Sequence, residues 1–381
     1  MDMQAELEAE KIAEQKNIQG KDYTEKEIKK EVQETIVPIQ QSSAKVQEEE
    51  FFSVLKMIAP GTSFRTALDG ALKTGRGALI VVENEWLLPM LDGGFRVNCR
   101  FTPQRLIELA KMDGAIVLAK DLKRINYANV LLTPDSKIKT AETGTRHKAA
   151  ERTAKHAGTL IIAISERKNE ITLFYKNIKY AIKSTDDVLR KANDHLQLLE
   201  KQRELFDRNV ERLTKFEVRN NPSLQQALIV IQKGHLVQKI ATDMKKYTIE
   251  AGSEGTLLKT RLKELTHGVD KETNLVIKDY TRLDLKKSRV LLESLTYDEI
   301  LDQNNILSML AYEKLVQQVP IKGWRILSKT SLPEADIAAL VKATGTLGKA
   351  IHSNVSLYAP IIGKDKAQLF KEEIDKIKLN Q

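Results

Sequence analysis

Six short runs of apolar and β-branched residues follow one another between residues 77 and 183, and few folds can accommodate them. The runs are GALIVVE (77–83), GAIVLA (114–119), INYANVLL (125–132), TLIIAIS (159–165), EITLFY (170–175) and IKYAIK (178–183). Such runs are typical of strands in a buried sheet. Helical patterns lie between them, as in TPQRLIELAKM, where Thr102 fits an N-cap and Pro103 the first helical position. We therefore predict an α/β domain over residues 51–183, with a mixed central sheet flanked by helices.

The chain beyond residue 183 has an almost entirely helical pattern. Apolar residues recur in alternating steps of three and four along one long segment, and Arg203 occupies the one position that breaks the series. The series is Leu189, Ala192, Leu196, Leu199, Phe206, Val210 and Leu213. A narrow apolar seam of this kind packs against other helices. We predict an intramolecular helical spine over residues 184–320, with a break at RNNPS (219–223), and a small helical end domain over residues 321–381.

The first fifty residues differ in composition from the rest. They contain 7 Lys and 13 Asp or Glu, a net charge of −6, whereas the remaining chain carries +15. With little apolar surface to offset the entropy of ordering, residues 1–50 are predicted to form a charged extension that is disordered or loosely helical. A basic body favours polyanionic ligands such as nucleotides or nucleic acid. A solvated, lysine-rich surface would explain the same charge.

Cellular location follows from cysteine content and hydropathy. The single cysteine, Cys99, excludes a disulfide framework and indicates a reducing compartment. No apolar run approaches the roughly 18–20 residues that span a bilayer. The N-terminal residues MDMQAELEAEKIAEQ also lack the apolar core of a secretory signal. We therefore predict a cytoplasmic protein with no membrane partner.

The stretch ETGTRHKAAERTAKHAG (142–158) predicts a helix with an unusual start. Thr145 is placed as its N-cap, Gly158 as its C-terminal stop, and the first helical residues are then Arg146, His147 and Lys148. Cations are unfavourable at a helix N-terminus, which already carries about half a positive charge. An anion held between these cations and the free backbone N–H groups would reverse that cost, and Gly144 would let a phosphate approach closely.

Two interpretations of this helix start remain open at the sequence level. The first is a polyphosphate-binding cradle. The second is an exposed surface on which Glu142 neutralises part of the charge.

A second candidate is Asp113-Gly114, which joins a predicted helix to a predicted strand. Asp-Gly is common in ordinary turns. A carboxylate at a strand end, where ligands often bind in α/β sheets, is also able to hold Mg²⁺ or Mn²⁺. A lone carboxylate together with a cationic cradle suits phosphoryl-group chemistry, because the metal and the bases share the charge of a triphosphate.

Three stretches resemble the DNA integrity scanning family of diadenylate cyclases: DGGFRVNCRFTPQRLIELAKMDGAIVL, INYANVLLTPD and ETGTRHKAAERTAKHAG. That family carries an Asp-Gly-Ala motif and an Arg-His-Arg motif. These read Asp113-Gly114-Ala115 and Arg146-His147-Lys148 here. The resemblance is strong over residues 51–183 and weaker through the helical middle, as in IEAGSEGTLLKTRLKEL.

The resemblance implies an enzyme that condenses two ATP into cyclic di-AMP and two pyrophosphates, with cyclase domains facing each other in pairs within an octamer. Asp113 would hold Mg²⁺ or Mn²⁺ and help to activate a 3′-hydroxyl, and Arg146 and His147 would act with it in catalysis. The ATP-binding residues implied are Gly114 and Ala115 at the sugar and metal, Leu132 at the adenine, Gly144, Thr145, Arg146, His147 and Lys148 at the phosphates, and Ser165 near the nucleotide.

The same resemblance assigns the C-terminal segment to a helix-hairpin-helix-like domain that binds non-specific or branched DNA. In LYAPIIGKDKAQLFKEEI (357–374), Gly363, Lys364 and Lys366 match the second hairpin, and Ile361 replaces its usual earlier glycine. Lys148 replaces an arginine and loses its bidentate geometry. It therefore favours an alternative function, a catalytically weak or inactive nucleotide-sensing or DNA-binding scaffold.

Overall fold

A computed structural model describes residues 49–315 and 319–379. The extension predicted over residues 1–50 lies outside the described residues, except for Glu49 and Glu50, which belong to a helix over 49–57. The chain divides between Ser184 and Thr185 into two compact units. The boundary predicted at residues 320/321 falls inside the second unit and stays a prediction.

The first unit is built on one sheet of eight strands. Their bounds are β1 Ala78–Val82, β2 Leu91–Asp92, β3 Phe95–Arg100, β4 Ala115–Leu118, β5 Arg124–Leu132, β6 Leu160–Ser165, β7 Glu170–Tyr175 and β8 Ile178–Ile182. The order across the sheet is β2-β5-β4-β1-β6-β7-β8, and β3 also pairs with β5. The central strands β1 and β4 are parallel, whereas every other pairing is antiparallel. The prediction of a mixed sheet is confirmed.

Three helices flank this sheet: α1 Ser63–Lys73, α2 Pro103–Leu109 and α3 Thr145–Ala157. Every residue of β1 and β4 is buried, as expected for strands covered on both faces. Helix α3 packs Ala150, Ala154 and Ala157 against the face that contains Leu79 and Val81. The small alanine side chains bring the axis of α3 close to the sheet, and its first turn therefore lies near the sheet's end.

All six predicted strands are present, each within one residue of the predicted bounds. Two strands were missed. Strand β2 has only two residues, and β3 (FRVNCR) carries polar side chains that leave most of it exposed. Strand β3 pairs only with β5 at the margin of the sheet, so most of its side chains need not be apolar. It therefore lacks the apolar run or alternation by which a strand is recognised in a sequence.

The second unit is entirely helical among its described residues. It contains α4 Thr185–Val218, α5 Leu224–Glu250, α6 Thr256–Thr266, α7 Val269–Tyr280, α8 Leu285–Ser294, α9 Tyr297–Leu301, α10 Gln303–Met309, α11 Trp324–Leu327, α12 Glu334–Thr344, α13 Leu347–His352, α14 Val355–Ile362 and α15 Lys364–Leu379. The predicted break at 219–223 separates α4 from α5, and the Ser223 side chain caps α5. One hydrophobic core runs from Leu199 in α4 to Ile374 in α15.

Arg203 interrupts the apolar seam of α4 because it has a capping role. Its Nη1 donates to the carbonyl oxygens of Leu265 and His267, at 2.8 and 2.7 Å, and its Nε bonds Asp207. Helix α6 ends at these carbonyls, which have no partner within their own helix. A cation at this helix C-terminus is also favourable for the helix dipole.

Candidate functional site

The strand register brings the two predicted motifs toward one end of the sheet. Leu79 of β1 lies opposite Ala115 of β4 and Ala163 of β6. When this register is extended two residues toward the N-terminus, just before β1 begins, Gly77 lies level with Asp113 and Ser165. Asp113 therefore precedes β4 at the amino ends of the two parallel strands, and Ser165 ends β6 beside it.

Helix α3 begins one residue earlier than the sequence predicts. Gly144 is its N-cap, with φ −80° and ψ 141°, and Thr145 is the first helical residue, so the assignment of Thr145 as N-cap is wrong. The first bond of the helix runs from the Lys148 N–H to the Gly144 carbonyl, 2.8 Å away. Gly158 ends the helix in the left-handed conformation, as predicted. The first turn contains Arg146 and His147 and no acidic residue.

Arg146 reaches the end of the sheet through a residue that the sequence analysis missed. Its Nη1 lies 2.1 Å from the position that a Cβ atom would take on Gly77. Any side chain at residue 77 would therefore occupy the space of the guanidinium. Because Gly77 precedes β1, this contact places the Arg146 charge beside the strand ends that carry Asp113 and Ser165. No sequence pattern marks Gly77, since its importance depends on a residue 69 positions away.

The Asp-Gly-Ala motif turns sharply into β4. Gly114 has φ +84°, and a Cβ atom there would lie 2.7 Å from the backbone carbon of Asn129, so only glycine fits. Ala115 is fully buried, whereas the Asp113 side chain is exposed. Leu132, at the matching end of β5, lies in the core and is 7% exposed, while its neighbour Leu131 is 62% exposed. The predicted Leu132 therefore presents little of its own surface to a ligand.

His147 lies between aromatic and cationic groups. Its ring meets that of Phe174 edge-on, with centroids 6.3 Å apart. Burial lowers the pKa of His147, Lys168 and Lys179 lower it further, and Glu142 opposes them. The imidazole is therefore held neutral at pH 7.

The surrounding charges bear on the two interpretations of the helix start. Glu142 forms an ion pair with Lys179, so its charge is already partly compensated by a third cation. Arg146 has no carboxylate partner among the ion pairs of the described residues. The Ser165 hydroxyl accepts a hydrogen bond from the Lys168 N–H, at 3.3 Å, which keeps a fourth cation in the adjacent turn. Neutralisation by Glu142 is thus incomplete, which favours an anion-binding site.

A divalent metal would find one candidate ligand here rather than a cage. Within residues 49–315 and 319–379, no group of three or more His, Cys, Asp or Glu side chains could hold a metal ion. Mg²⁺ commonly binds through one or two carboxylates and the phosphates of a substrate. The exposed Asp113 fits that mode, in which a metal would bind together with a phosphate-bearing ligand.

The predicted DNA-binding residues lie in a helix–glycine–helix hairpin of the second unit. Gly363 joins α14 to α15 with φ +88° and ψ 153°, a backbone conformation open almost only to glycine. The rings of Tyr358 and Phe370 pack edge-on across the hairpin, 5.0 Å apart. Lys364 is exposed at the hairpin, whereas Lys366 forms an ion pair with Asp336 at 2.6 Å.

Comparison with known proteins agrees with these observations. Residues 65–178 match the family model described as DisA bacterial checkpoint controller nucleotide-binding, and residues 182–319 match the DisA bacterial checkpoint controller linker region. The DNA integrity scanning protein DisA of Acetivibrio thermocellus is 39% identical over 325 residues, which cover 83% of this chain and 90% of that protein. The chain belongs to the DisA family.

Two further comparisons are as follows. DisA of Bacillus subtilis is 37% identical over 336 residues, 85% of this chain and 93% of that protein. A crystal structure of DacA from Staphylococcus aureus is 23% identical, covers 36% of this chain and 89% of that one, and gives a TM-score of 0.28. The nucleotide-binding model of the DisA family spans every predicted site residue from Asp113 to Ser165. In the part of the chain that the structure describes, no helix is long and apolar enough to cross a bilayer.

Proposed function

We propose that this DisA-family protein is a diadenylate cyclase, which condenses two ATP into cyclic di-AMP and releases two pyrophosphates. The observation that carries the proposal is the position of Arg146. Its guanidinium lies against Gly77, at the end of the sheet where Asp113 enters β4. A cationic cradle and a lone exposed carboxylate therefore share one sheet end, as transfer of a nucleotidyl group between two triphosphates needs.

The phosphate-binding role falls to the start of α3. Arg146 offers a planar pair of donors, Lys148 a point charge, and Thr145 a hydroxyl and a free backbone N–H. The lowered pKa of His147 favours a neutral imidazole in the free protein, and its ring offers an N–H donor to a bound phosphate. Gly144 leaves the helix end open, because a Cβ atom there would meet only the His147 ring, at 3.9 Å.

Asp113 would hold the divalent cation, Mg²⁺ or Mn²⁺, and would accept a proton from the attacking 3′-hydroxyl. When bound, the metal supplies positive charge to the triphosphate and makes its pyrophosphate a better leaving group. In the proposed step, the 3′-oxygen of one ATP bonds to the α-phosphorus of the other. The bond from that phosphorus to pyrophosphate breaks, and the 3′-hydroxyl proton leaves toward the Asp113 carboxylate and solvent.

One chain supplies one nucleotide cradle, whereas the reaction needs two nucleotides face to face. We therefore propose a homo-oligomer, an octamer with paired cyclase domains, in the cytoplasm. Light scattering of the purified protein tests the assembly. A mass equal to a monomer under conditions of full activity would contradict the paired-domain reaction.

Incubation of the purified chain with ATP and either Mg²⁺ or Mn²⁺, followed by mass spectrometry for cyclic di-AMP, tests the reaction. Asp113→Asn should abolish the product while ATP still binds. Asp121→Asn is a matched control, because that exposed carboxylate lies in the turn at the other end of β4 and asparagine can keep its bond to the Lys123 N–H. Lys148→Arg should retain or raise activity.

The alternative function, a nucleotide-sensing or DNA-binding scaffold, rests on Lys148. It gains support if the parent protein binds ATP and yields no cyclic di-AMP with either metal while Lys148→Arg restores the product. If Lys148→Arg also yields none, the cyclase proposal fails.

We also propose that the α14–α15 hairpin binds DNA and couples it to the cyclase. Gly363 turns the backbone N–H groups of the α15 start outward, and Lys364 adds an exposed charge. Lys364→Ala should weaken binding to duplex and branched oligonucleotides and reduce the salt slope by about 0.9, the effect of one lost phosphate contact. Lys376→Ala, near the far end of α15, is the control. Equal effects of both variants would contradict a role for the hairpin.

A further inference from the structure

A second basic cleft lies at the opposite end of the same sheet. It is lined by the ends of β3 and β5, the β4–β5 turn and the start of α1, and its volume is about 800 Å³. Strand β5 runs nine residues from Arg124, at this cleft, to Leu132 at the candidate nucleotide site. At about 3.4 Å per residue, the two ends of β5 are roughly 27 Å apart. The cleft is therefore separate from the site built on Asp113 and Arg146.

The positive charges of this cleft repel one another and destabilise the free protein. Arg100 of β3 and Arg124 of β5 lie directly opposite each other in the strand register. Like charges in such cross-strand pairs are destabilising. Lys123 adds a third cation, and none of the residues that line the cleft is acidic. Among the described residues, neither arginine forms an ion pair. Arg124 donates only to the neutral amide oxygen of Asn98, at 2.6 Å.

Part of the lining of the cleft is apolar. Phe64 and Phe101 pack edge-on with ring centroids 6.1 Å apart, and Phe101 is only half-buried. Leu122 lines the cleft with φ +58°, a left-handed conformation that is uncommon for a bulky residue. Aromatic and aliphatic side chains beside three cations fit a ligand with one flat apolar part and one strongly anionic part. The volume is in the range of small-molecule sites.

We propose that this basic cleft binds a nucleotide, with its phosphates between Arg100, Lys123 and Arg124 and its base against Phe101 and Leu122. The phosphates of the ligand supply the anionic partner that the two facing arginines do not have among the described residues. This site is additional to the cyclase reaction, and none of its residues belongs to the nucleotide cradle at α3.

The test is ATP binding to full-length Arg146→Ala protein in the presence of a metal chelator, measured by isothermal titration calorimetry. These conditions remove the cradle at α3, so we expect one ATP per chain to remain bound. Adding Arg100→Gln and Arg124→Gln should lower the affinity roughly tenfold or more, since charge-assisted hydrogen bonds are lost. Arg96→Gln, on the same strand and outside the cleft, is the matched control and should change nothing.

Thermal unfolding without ligand checks the fold, and removal of the facing arginines should not lower the melting temperature. If it does, Lys123→Gln, in the turn, replaces the double variant in the titration. The proposal is overturned if Arg146→Ala protein binds no ATP, or if the cleft variant binds ATP as well as the control does. It is also overturned if pyrophosphate binds as tightly as ATP, or if the cleft substitutions weaken binding only of duplex DNA. Cyclic di-AMP formation by the Arg100→Gln/Arg124→Gln protein should be retained, which separates this outcome from failure of the cyclase proposal.

Discussion

Replacement of Arg325 by methionine should destabilise the helical unit more than any surface change. Arg325 and Glu217 are both fully buried, and their side chains form an ion pair. Arg325 also bonds Glu272 at 2.8 Å and Thr214 at 3.1 Å, while the Tyr280 hydroxyl donates to Glu217 at 3.0 Å. The methionine would leave the Glu217 carboxylate buried without its cation.

The size of the effect follows from that buried charge. Breaking a buried ion pair from one side costs about 3–5 kcal/mol. In a unit that spans Thr185–Gln381, each kcal/mol lowers the melting temperature by about 2–4 °C. The expected loss is therefore about 6–20 °C. Replacing both partners, Arg325→Met with Glu217→Met, should recover about half of it or more, because the fully buried Glu217 carboxylate is then removed and only the partly exposed Glu272 loses its cation.

The dependence on pH gives a second signature. Burial raises the pKa of Glu217, and loss of the Arg325 charge would raise it further. A carboxyl whose pKa is raised in the folded state favours folding at low pH, and this contribution is lost as pH rises through the folded pKa. The gap in unfolding free energy between the parent and Arg325→Met should therefore be smaller at pH 5 than at pH 8.

Urea unfolding followed by fluorescence of Trp324 provides the measurement. Trp324 adjoins Arg325, and the chain's other tryptophan, Trp86, is 72% exposed and is replaced by phenylalanine in all variants. A loss below about 1 kcal/mol would refute the buried-charge argument. The buried-charge argument would also be refuted if the double variant were as unstable as Arg325→Met alone, because lost packing would then explain the effect.

Three further predictions concern the candidate sites. Gly77→Ala should lower ATP affinity about tenfold, because the alanine methyl group displaces the flexible end of Arg146, and it should also cost some stability, because that methyl group would lie 3.2 Å from the backbone oxygen of Ile164; unchanged binding by calorimetry would contradict the position of that guanidinium. ATP affinity should rise between pH 8 and pH 6 more in the parent than in His147→Asn, because burial lowers the pKa of His147 in the free protein and a bound polyphosphate would raise it; parallel pH profiles would exclude proton uptake by this histidine. Gly363→Ala should cost about 1–3 kcal/mol in backbone strain at φ +88° and weaken DNA binding; fluorescence anisotropy equal to that of the parent would argue against the hairpin contact.

Four of the predicted strands, β1, β4, β6 and β7, could be recognised because most of their residues are buried. The apolar run at 77–83 and the run at 159–165 need no knowledge of their neighbours, since burial requires apolar side chains wherever the strand lies. Strand β3 is different. Its residues Arg96, Asn98 and Arg100 are exposed, and only pairing with β5 makes it a strand. Edge pairing depends on a distant partner and leaves little trace in a single sequence.

The candidate site was predictable in its charges and not in its contacts. The basic helix start of α3 is visible because it opposes a local rule, the preference for acids at helix N-termini. Gly77, Lys168 and Lys179 carry no such local sign, yet they surround Arg146 and His147 in the fold. Their roles arise from strand register and from the alanine contacts that draw α3 onto the sheet.

Five arginines of this protein differ in what their guanidinium groups contact. Arg325 is paired with two carboxylates, and Arg203 caps the end of α6 while pairing with Asp207, so each charge is fully used within the fold. Arg146 and the facing pair Arg100 and Arg124 form no ion pair among the described residues, and each adds to a concentration of like charge. These concentrations of like charge destabilise the protein when no ligand is bound. Binding of an anion would offset these costs, and the same physical argument therefore supports both proposed ligand sites, one at each end of the sheet.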